Sequence, residues 1–252
     1  MKVVGIIPSR YYSTRFPGKP LAMIAGKTMI LRVCEQAWKS KLDDVVVATD
    51  DIRIADEVQG FGGQYVLTDP NHQSGTDRCC EALDALENQY DAVINIQGDE
   101  PFIDPRQIDL LVDLISQEHI QLASLAKRID DEQALFSPNV VKVVMDDEGK
   151  ALYFSRAPIP FMRNLSQGEW LGNGAFYQHI GLYAYKAAAL RQIAALQPST
   201  LERAESLEQL RWLQNGWAIH MQVTESENVS VDTPSDLVKA EQLACNQISK
   251  ER

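Results

Sequence analysis

The sequence has little of what marks several large classes of protein. It holds only four cysteines in 252 residues, Cys34, Cys79, Cys80 and Cys245, with no CxxC pair and no Cys/His ligand spacing. That excludes a disulfide framework and leaves free thiols, mostly buried in helices, in a reducing compartment. No stretch approaches the ~18 apolar residues of a membrane span, and the opening MKVVGIIPSR enters a strand pattern without a small-residue cleavage site. The expectation is a cytoplasmic protein with no membrane partner. Internal repeats and low-complexity tracts are absent. Basic charge is also scarce, 24 Lys and Arg against 35 Asp and Glu, for a net charge of −11. Yet residues 1–42 hold eight Lys/Arg and one acidic residue, a balance of +7, so the rest of the chain carries −18. A protein that coats nucleic acid presents a broad basic surface. Here positive charge gathers at one loop and the helix after it, enough for one nucleotide, and no nucleic-acid partner is expected.

What is present is an ordinary soluble composition, 45% apolar and 23% charged, in a chain long enough to bury roughly 70–75% of its unfolded surface. Val3–Ile7 is a short β-branched run that reads as a buried parallel strand closed by Pro8. The loop behind it, PSRYYSTRFPGKPL, carries Arg10, Arg15 and Lys19, no acidic residue, and a Pro17-Gly18 turn. Such a loop lies at the carboxyl end of an α/β sheet, where ligands bind, and its guanidinium and ammonium groups suit phosphate oxygens. A solvated basic loop would read the same way.

The pattern is more specific than a cluster of charges. PSRYYSTRFPGKPL resembles the nucleotide-binding loop of sugar-activating nucleotidyltransferases, in the form used by the 3-deoxy-D-manno-octulosonate cytidylyltransferase (CMP-Kdo synthetase) family. HQSGTDR (72–78), NIQGDEPFI (95–103), HIGLYAY (179–185) and VDTPSDL (231–237) match the same family in the same order, across nearly the whole chain. The loop departs from the family at Ser9, usually alanine, and at Tyr12, usually small; a tyrosine would be strained at positive φ, which argues against a close phosphate contact there.

Read in order, the chain alternates. A helix is expected at 27–41 with Met29, Ile30, Val33, Cys34, Ala37 and Trp38 inward, then a strand at 44–49, a helix at 52–61, a strand at 64–67, a helix near 78–86 and a strand at 91–96. Helix 105–116 and strand 122–126 follow. The alternation predicts an α/β fold, a doubly wound, mostly parallel sheet. A hairpin at 140–145 and 151–155 breaks it and predicts an antiparallel extension. Residues 164–178 are polar and glycine-containing and read as a mobile loop. A strand around 179–185, one amphipathic helix at 202–215, a strand at 217–223 and a terminal helix begun by Thr233 and Pro234 complete the order. The whole is expected to be one cytidylyltransferase domain, nucleotide-binding over about 1–126 and sugar-binding and dimer-forming over about 127–230, the latter as the resemblance implies.

Ser74 and Asp77 have the spacing of a helix-capping pair, and Gly75 between them leaves backbone N–H groups open to a ligand. QGDEP leaves the end of a central strand and sets Gln97, Gly98, Asp99 and Glu100 toward the same crevice. An acidic residue opposite phosphates needs a cation between, which makes Asp99 a natural magnesium ligand, unless Asp99, Glu100 and Pro101 only turn the chain.

The resemblance implies transfer of a cytidylyl group from CTP to Kdo, giving CMP-Kdo and pyrophosphate for lipopolysaccharide assembly, by a homodimeric enzyme. In that reading Asp99 and Asp232 hold Mg2+, and Lys19 and Arg10 join them as catalytic residues. Ser9, Arg10, Arg15, Lys19, Ser74, Gly75, Arg78 and Gln97 bind CTP. Gln97, Arg156, His179, Tyr183, Glu208 and Gln209 bind the sugar, with Arg156 and a protonated His179 the candidate cations for the sugar carboxylate. His179 and Tyr183 lie four apart on one strand face; Glu208 and Gln209 would equally suit solvated helix positions. Two alternatives stand beside this: a cytidylyltransferase for an 8-amino-Kdo or other acidic sugar, and a non-catalytic nucleotide-binding regulator, which would have no use for both Asp99 and Asp232.

Overall fold

A computed structural model describes residues 1–12 and 16–250, with the backbone alone for 247–250. The chain forms two compact units, Met1–Val112 with the segment from Glu227 onward, and Asp113–Ser226. Strand 122–128 therefore groups with the second unit, not with the amino-terminal half in which the sequence reading put it.

The strands of the first unit are β1 (Val3–Ser9), a small hairpin of β2 (Met23–Ile24) and β3 (Lys27–Thr28), β4 (Asp44–Thr49), β5 (Gln64–Leu67) and β6 (Ala92–Asn95). They run parallel in the order β6-β1-β4-β5. Val3, Val4, Ile6, Ile7, Val46, Val47 and Val93 are almost fully buried, because helices cover a parallel sheet on both faces and β-branched side chains pack well on it. Replacing a buried residue such as Ile6 by alanine would cost about 2–5 kcal/mol.

The helices are α1 (Met29–Ala37), α2 (Ile52–Gly60), α3 (Gly75–Ala85), α4 (Pro105–Ile115) and the terminal helix Pro234–Lys250. Helix α1 buries the expected Met29, Ile30, Val33, Cys34 and Ala37. It starts two residues late because Lys27 and Thr28 pair with β2, and the Thr28 side chain accepts from the Leu31 N–H. Trp38, expected inward, caps the helix half-exposed against Phe61. The terminal helix packs Ala240 and Ala244 on Ile24, Met29 and Val231, which brings the end of the chain back to the loop that follows β1.

The second unit holds β7 (Leu122–Arg128), β8 (Lys142–Met145), β9 (Ala151–Ser155), β10 (Tyr177–Lys186) and β11 (Ile219–Val223). Strand β11 runs parallel to β7, while β10 is antiparallel to it, with a register shift between Ile180 and Tyr183. Strand β8 pairs antiparallel with β10 and β9, the expected extension. Its helices are α5 (Glu132–Phe136), α6 (Trp170–Asn173), α7 (Ala187–Ala194), α8 (Thr200–Glu205) and α9 (Gln209–Gln214).

Two expectations are corrected here. Residues 164–178 are not a bare loop: Trp170 is buried and stacks on Phe176, with Phe136 and Phe161 against its ring. The single helix at 202–215 is broken. Ser206 adopts the left-handed conformation (φ 53°) and ends α8, and α9 starts afresh at Gln209.

Candidate active site

Strand β1 ends at Ser9, and the chain turns back so that the Gly18 N–H donates to the Tyr11 carbonyl at 2.8 Å. Gly18 has φ 73°, the left-handed region that favours glycine, and a Cβ on it would lie 3.2 Å from the Tyr11 ring, which would have to give by a few tenths of an ångström. The Arg53 guanidinium lies 3.4 Å from the centre of the same ring and is itself held by Asp51. This clasp launches the short turn Lys19–Leu21. Tyr12 is exposed and is not a positive-φ residue.

Lys19 points at two carboxylates. Its Nζ donates to Asp99 Oδ2 at 2.7 Å and lies 3.3 Å from Asp232 Oδ1. Asp99 follows Gly98, where a Cβ would meet Ser9 Oγ at 2.7 Å and the Pro8 carbonyl at 3.0 Å; only glycine lets this loop lie against the end of β1. Asp232 precedes the capping box of the terminal helix, in which the Asp236 carboxylate accepts from the Thr233 N–H and hydroxyl and from the Asp232 N–H. The sequence reading of Thr233, Pro234 and Asp232 matches this geometry. Among the described residues no cluster of three or more His, Cys, Asp or Glu could hold a metal alone. Magnesium commonly takes one or two carboxylates and completes its shell with water and substrate phosphates. The pair fits it: both donors are hard oxygens, and both already converge on one cation, the Lys19 ammonium.

These groups line a single cleft of about 250 Å³ together with Ser9, Arg10, Ser74, Gly75, Arg78, Gln97 and Gly98, whereas Glu100, expected at the same crevice, is buried and accepts from the Asn228 amide instead. Arg15 lies outside the described residues; every other residue assigned to the nucleotide is present. Arg10 is exposed, and among the described residues none pairs with its guanidinium. Ser9 is buried and its hydroxyl has no described partner. Ser74 and Asp77 form the expected capping box. Arg78, 4% exposed, donates to the Thr68 hydroxyl and pairs with Asp50 at 3.3 Å, which fixes its direction. His72 and Gln73 also line the cleft, and sequence reasoning gave them no role, although both lie inside the HQSGTDR motif. His72 Nε2 contacts the Glu81 carboxylate.

In the second unit, Tyr183 lies beside His179 and within the field of Glu208, two other residues assigned to the sugar. Its ring lies 5.2 Å from that of His179 and 5.1 Å from that of Trp212. Burial and the negative charge of Glu208 push its hydroxyl well above the ordinary tyrosine range. Gln209 is buried at the start of α9, and no described residue bonds its amide. The expected protonated His179 is corrected: Nε2 shares a hydrogen bond with the Ser124 hydroxyl at 2.9 Å, the ring packs edge-on to Phe154, and burial lowers its pKa to about 3. The residue retains some accessible surface, but its ring is enclosed by aromatics. It is neutral at physiological pH. Arg156 gives its donors to the main-chain carbonyls of Glu205 (2.7 Å), Pro138 (3.0 Å) and Ser206 (3.3 Å). It therefore staples the turn that precedes Glu208 and Gln209.

A cytidylyltransferase family profile matches residues 4–245. The 3-deoxy-manno-octulosonate cytidylyltransferase of Parabacteroides distasonis is 54% identical over 244 residues, 95% of this chain and 97% of that one. The enzyme of the same name from Cytophaga hutchinsonii is 52% identical over 241 residues, 95% of this chain and 96% of that one. A solved structure of a CMP:2-keto-3-deoxy-manno-octonic acid synthetase complexed with CTP is 40% identical, with a TM-score of 0.91 over 98% of this chain and 100% of that one. The chain belongs to the cytidylyltransferase family, among the 3-deoxy-manno-octulosonate cytidylyltransferases.

Proposed function

We propose that the protein transfers the cytidylyl group of CTP to the anomeric hydroxyl of Kdo, releasing pyrophosphate and supplying CMP-Kdo for lipopolysaccharide assembly. The observation that carries this is the meeting of Lys19, Asp99 and Asp232 in a cleft also lined by Arg10, Arg78 and the capped start of α3. The new bond forms between the anomeric oxygen and the α-phosphorus as the bond to the pyrophosphate oxygen breaks, and the hydroxyl proton leaves to solvent. No residue needs to attack; positioning and charge neutralisation lower the barrier. Arg10, Arg15 and Lys19 hold the triphosphate and the departing pyrophosphate. Asp99 and Asp232 hold Mg2+, which when bound neutralises phosphate charge and makes the hydroxyl a better nucleophile.

For the sugar, His179, Tyr183, Glu208 and Gln209 of the second unit offer groups that bond hydroxyls. Arg156 contributes by fixing the turn before Glu208, with any direct role toward the sugar carboxylate limited by the carbonyls it already serves. The enzyme works as a homodimer in the cytoplasm, its contact on the second unit, where Leu152 and Phe161 are exposed. No described helix is long and apolar enough to cross a membrane.

The test is pyrophosphate release with CTP and Mg2+ against Kdo, 8-amino-Kdo and other acidic sugars, and with ATP or GTP in place of CTP. Fastest release with CTP and Kdo is expected. Comparable turnover with ATP, or preference for another sugar, overturns the assignment at the base or at the sugar.

A further inference from the structure

We infer that Asn228 is a positioning residue that sets the spacing of the Asp99 and Asp232 carboxylates. Residues 227–233, which carry Asp232, form neither helix nor strand, so their course depends on side-chain ties. One main-chain bond and one side-chain relay tie them to the loop of Asp99 and the helix after it. The Val231 N–H donates to the Asp99 carbonyl at 2.9 Å, and Asn228 joins two buried partners. Its Nδ2 donates to Glu100 Oε2 at 2.5 Å, and its Oδ1 accepts from Gln107 Nε2 at 2.7 Å. Glu100 is 8% exposed and Gln107, on α4, is fully buried.

The relay has a direction. Glu100 presents a carboxylate oxygen that accepts, and Gln107 presents an amino group that donates, so the residue between them must do both within a short reach. Asparagine does. Glu100 is bonded covalently to Asp99, and Asn228 lies four residues before Asp232, so the relay pins the two carboxylate-bearing segments together from behind. Downstream, the Thr233–Asp236 capping box fixes the other side of Asp232. The pair that converges on Lys19 is thereby held before any nucleotide arrives. Partners that orient metal ligands in this way typically set about 10–100-fold in metal affinity.

The inference rests on the reading of Asp99 and Asp232 as the metal pair, and the experiment separates the two. Mn2+ affinity is measured by electron paramagnetic resonance on the intact protein with CTP present and sugar absent, so that no turnover occurs. In N228A it should weaken about tenfold while affinity for CTP without metal changes less than about twofold. The double variant E100Q/N228D exchanges donor and acceptor between the two positions and keeps both hydrogen bonds and the net charge; it should recover to within about threefold of the wild type. A relay that only supports the fold would lower the melting temperature of N228A and leave Mn2+ affinity untouched, which overturns the inference. So does failure of the double variant to recover. If N228A does not fold, N228S, too short to span both partners, takes its place with the same outcomes. D99N is the reference: lost Mn2+ affinity there with none lost in N228A defeats the inference alone, and unchanged affinity in both defeats the metal reading with it.

Discussion

Lys19 and Lys142 show how differently the two units use the same side chain. In the first unit Lys19 faces two carboxylates at the edge of a cleft. In the second, Lys142 is wholly buried and donates to the carbonyls of Ser137, Val140 and Arg156 at 2.6–2.8 Å. The arginines divide likewise: Arg10 is exposed at the cleft and Arg78 lines it, whereas Arg156 is spent on three carbonyls. A triphosphate needs cations that line the cleft, whether exposed as Arg10 is or held in place as Arg78 is. In the second unit Lys142 and Arg156 serve as staples, and His179, Tyr183, Glu208 and Gln209, also assigned to the sugar, supply no positive charge.

The largest effect should come from the acidic pair. D99N and D232N are each expected to slow pyrophosphate release on the order of a hundredfold or more, about 2.7 kcal/mol of barrier, at saturating Mg2+. Wild-type rates in either variant would remove the charge-centred picture of the first unit. Next is Lys142→Met, which strands three carbonyls in the interior. It should lower unfolding free energy by about 1–3 kcal/mol in urea denaturation, with the Michaelis constant for CTP unchanged. A variant as stable as the wild type would show that Lys142 is no staple.

A smaller effect sharpens the point about neutrality in the second unit. His179 has a folded pKa of about 3, below its unfolded value near 6.5. Between those values the unfolded chain binds the extra proton, so stability from this residue is intact above about pH 6.5 and is lost as pH falls toward 3, by up to about 1.4 kcal/mol per pH unit. His179→Asn should flatten the fall in melting temperature between pH 6.5 and 4.5 relative to the wild type. An unchanged slope would mean that the ring titrates normally. The same neutrality implies that the Michaelis constant for Kdo shows no titration of His179 between pH 6 and 8.

The first unit was the more legible of the two. Its chemistry sits on contiguous loops at strand ends, and Ser74 with Asp77 and Thr233 with Pro234 announce their helix starts by residue type. The rest depended on tertiary packing. Ser206 takes a left-handed turn without a glycine to mark it, because Arg156 and Ser155 hold Glu205 and its neighbour in place. Trp170 organises an aromatic cluster from inside a polar stretch. The α7 helix and the β2–β3 hairpin left no expectation at all, the hairpin because two-residue strands have no period to read. His179 was read as a cation because burial does not show in alternation. Asn228, Glu100 and Gln107 meet across as many as 128 positions; Asn228 and Gln107 each look like ordinary polar residues, and Glu100 reads as a crevice residue because its burial does not show beside Asp99.

The division of labour itself is tested most directly by varying each substrate separately in two variants. Arg10→Ala removes an exposed guanidinium that no described residue pairs with, so the fold should survive; the Michaelis constant for CTP is expected to rise about tenfold with that for Kdo within twofold. Gln209→Ala should do the reverse, raising the constant for Kdo several-fold, a cost of about 1–3 kcal/mol, and leaving CTP alone. If both constants move together in both variants, nucleotide and sugar are not recognised by separate units, and the central claim is wrong.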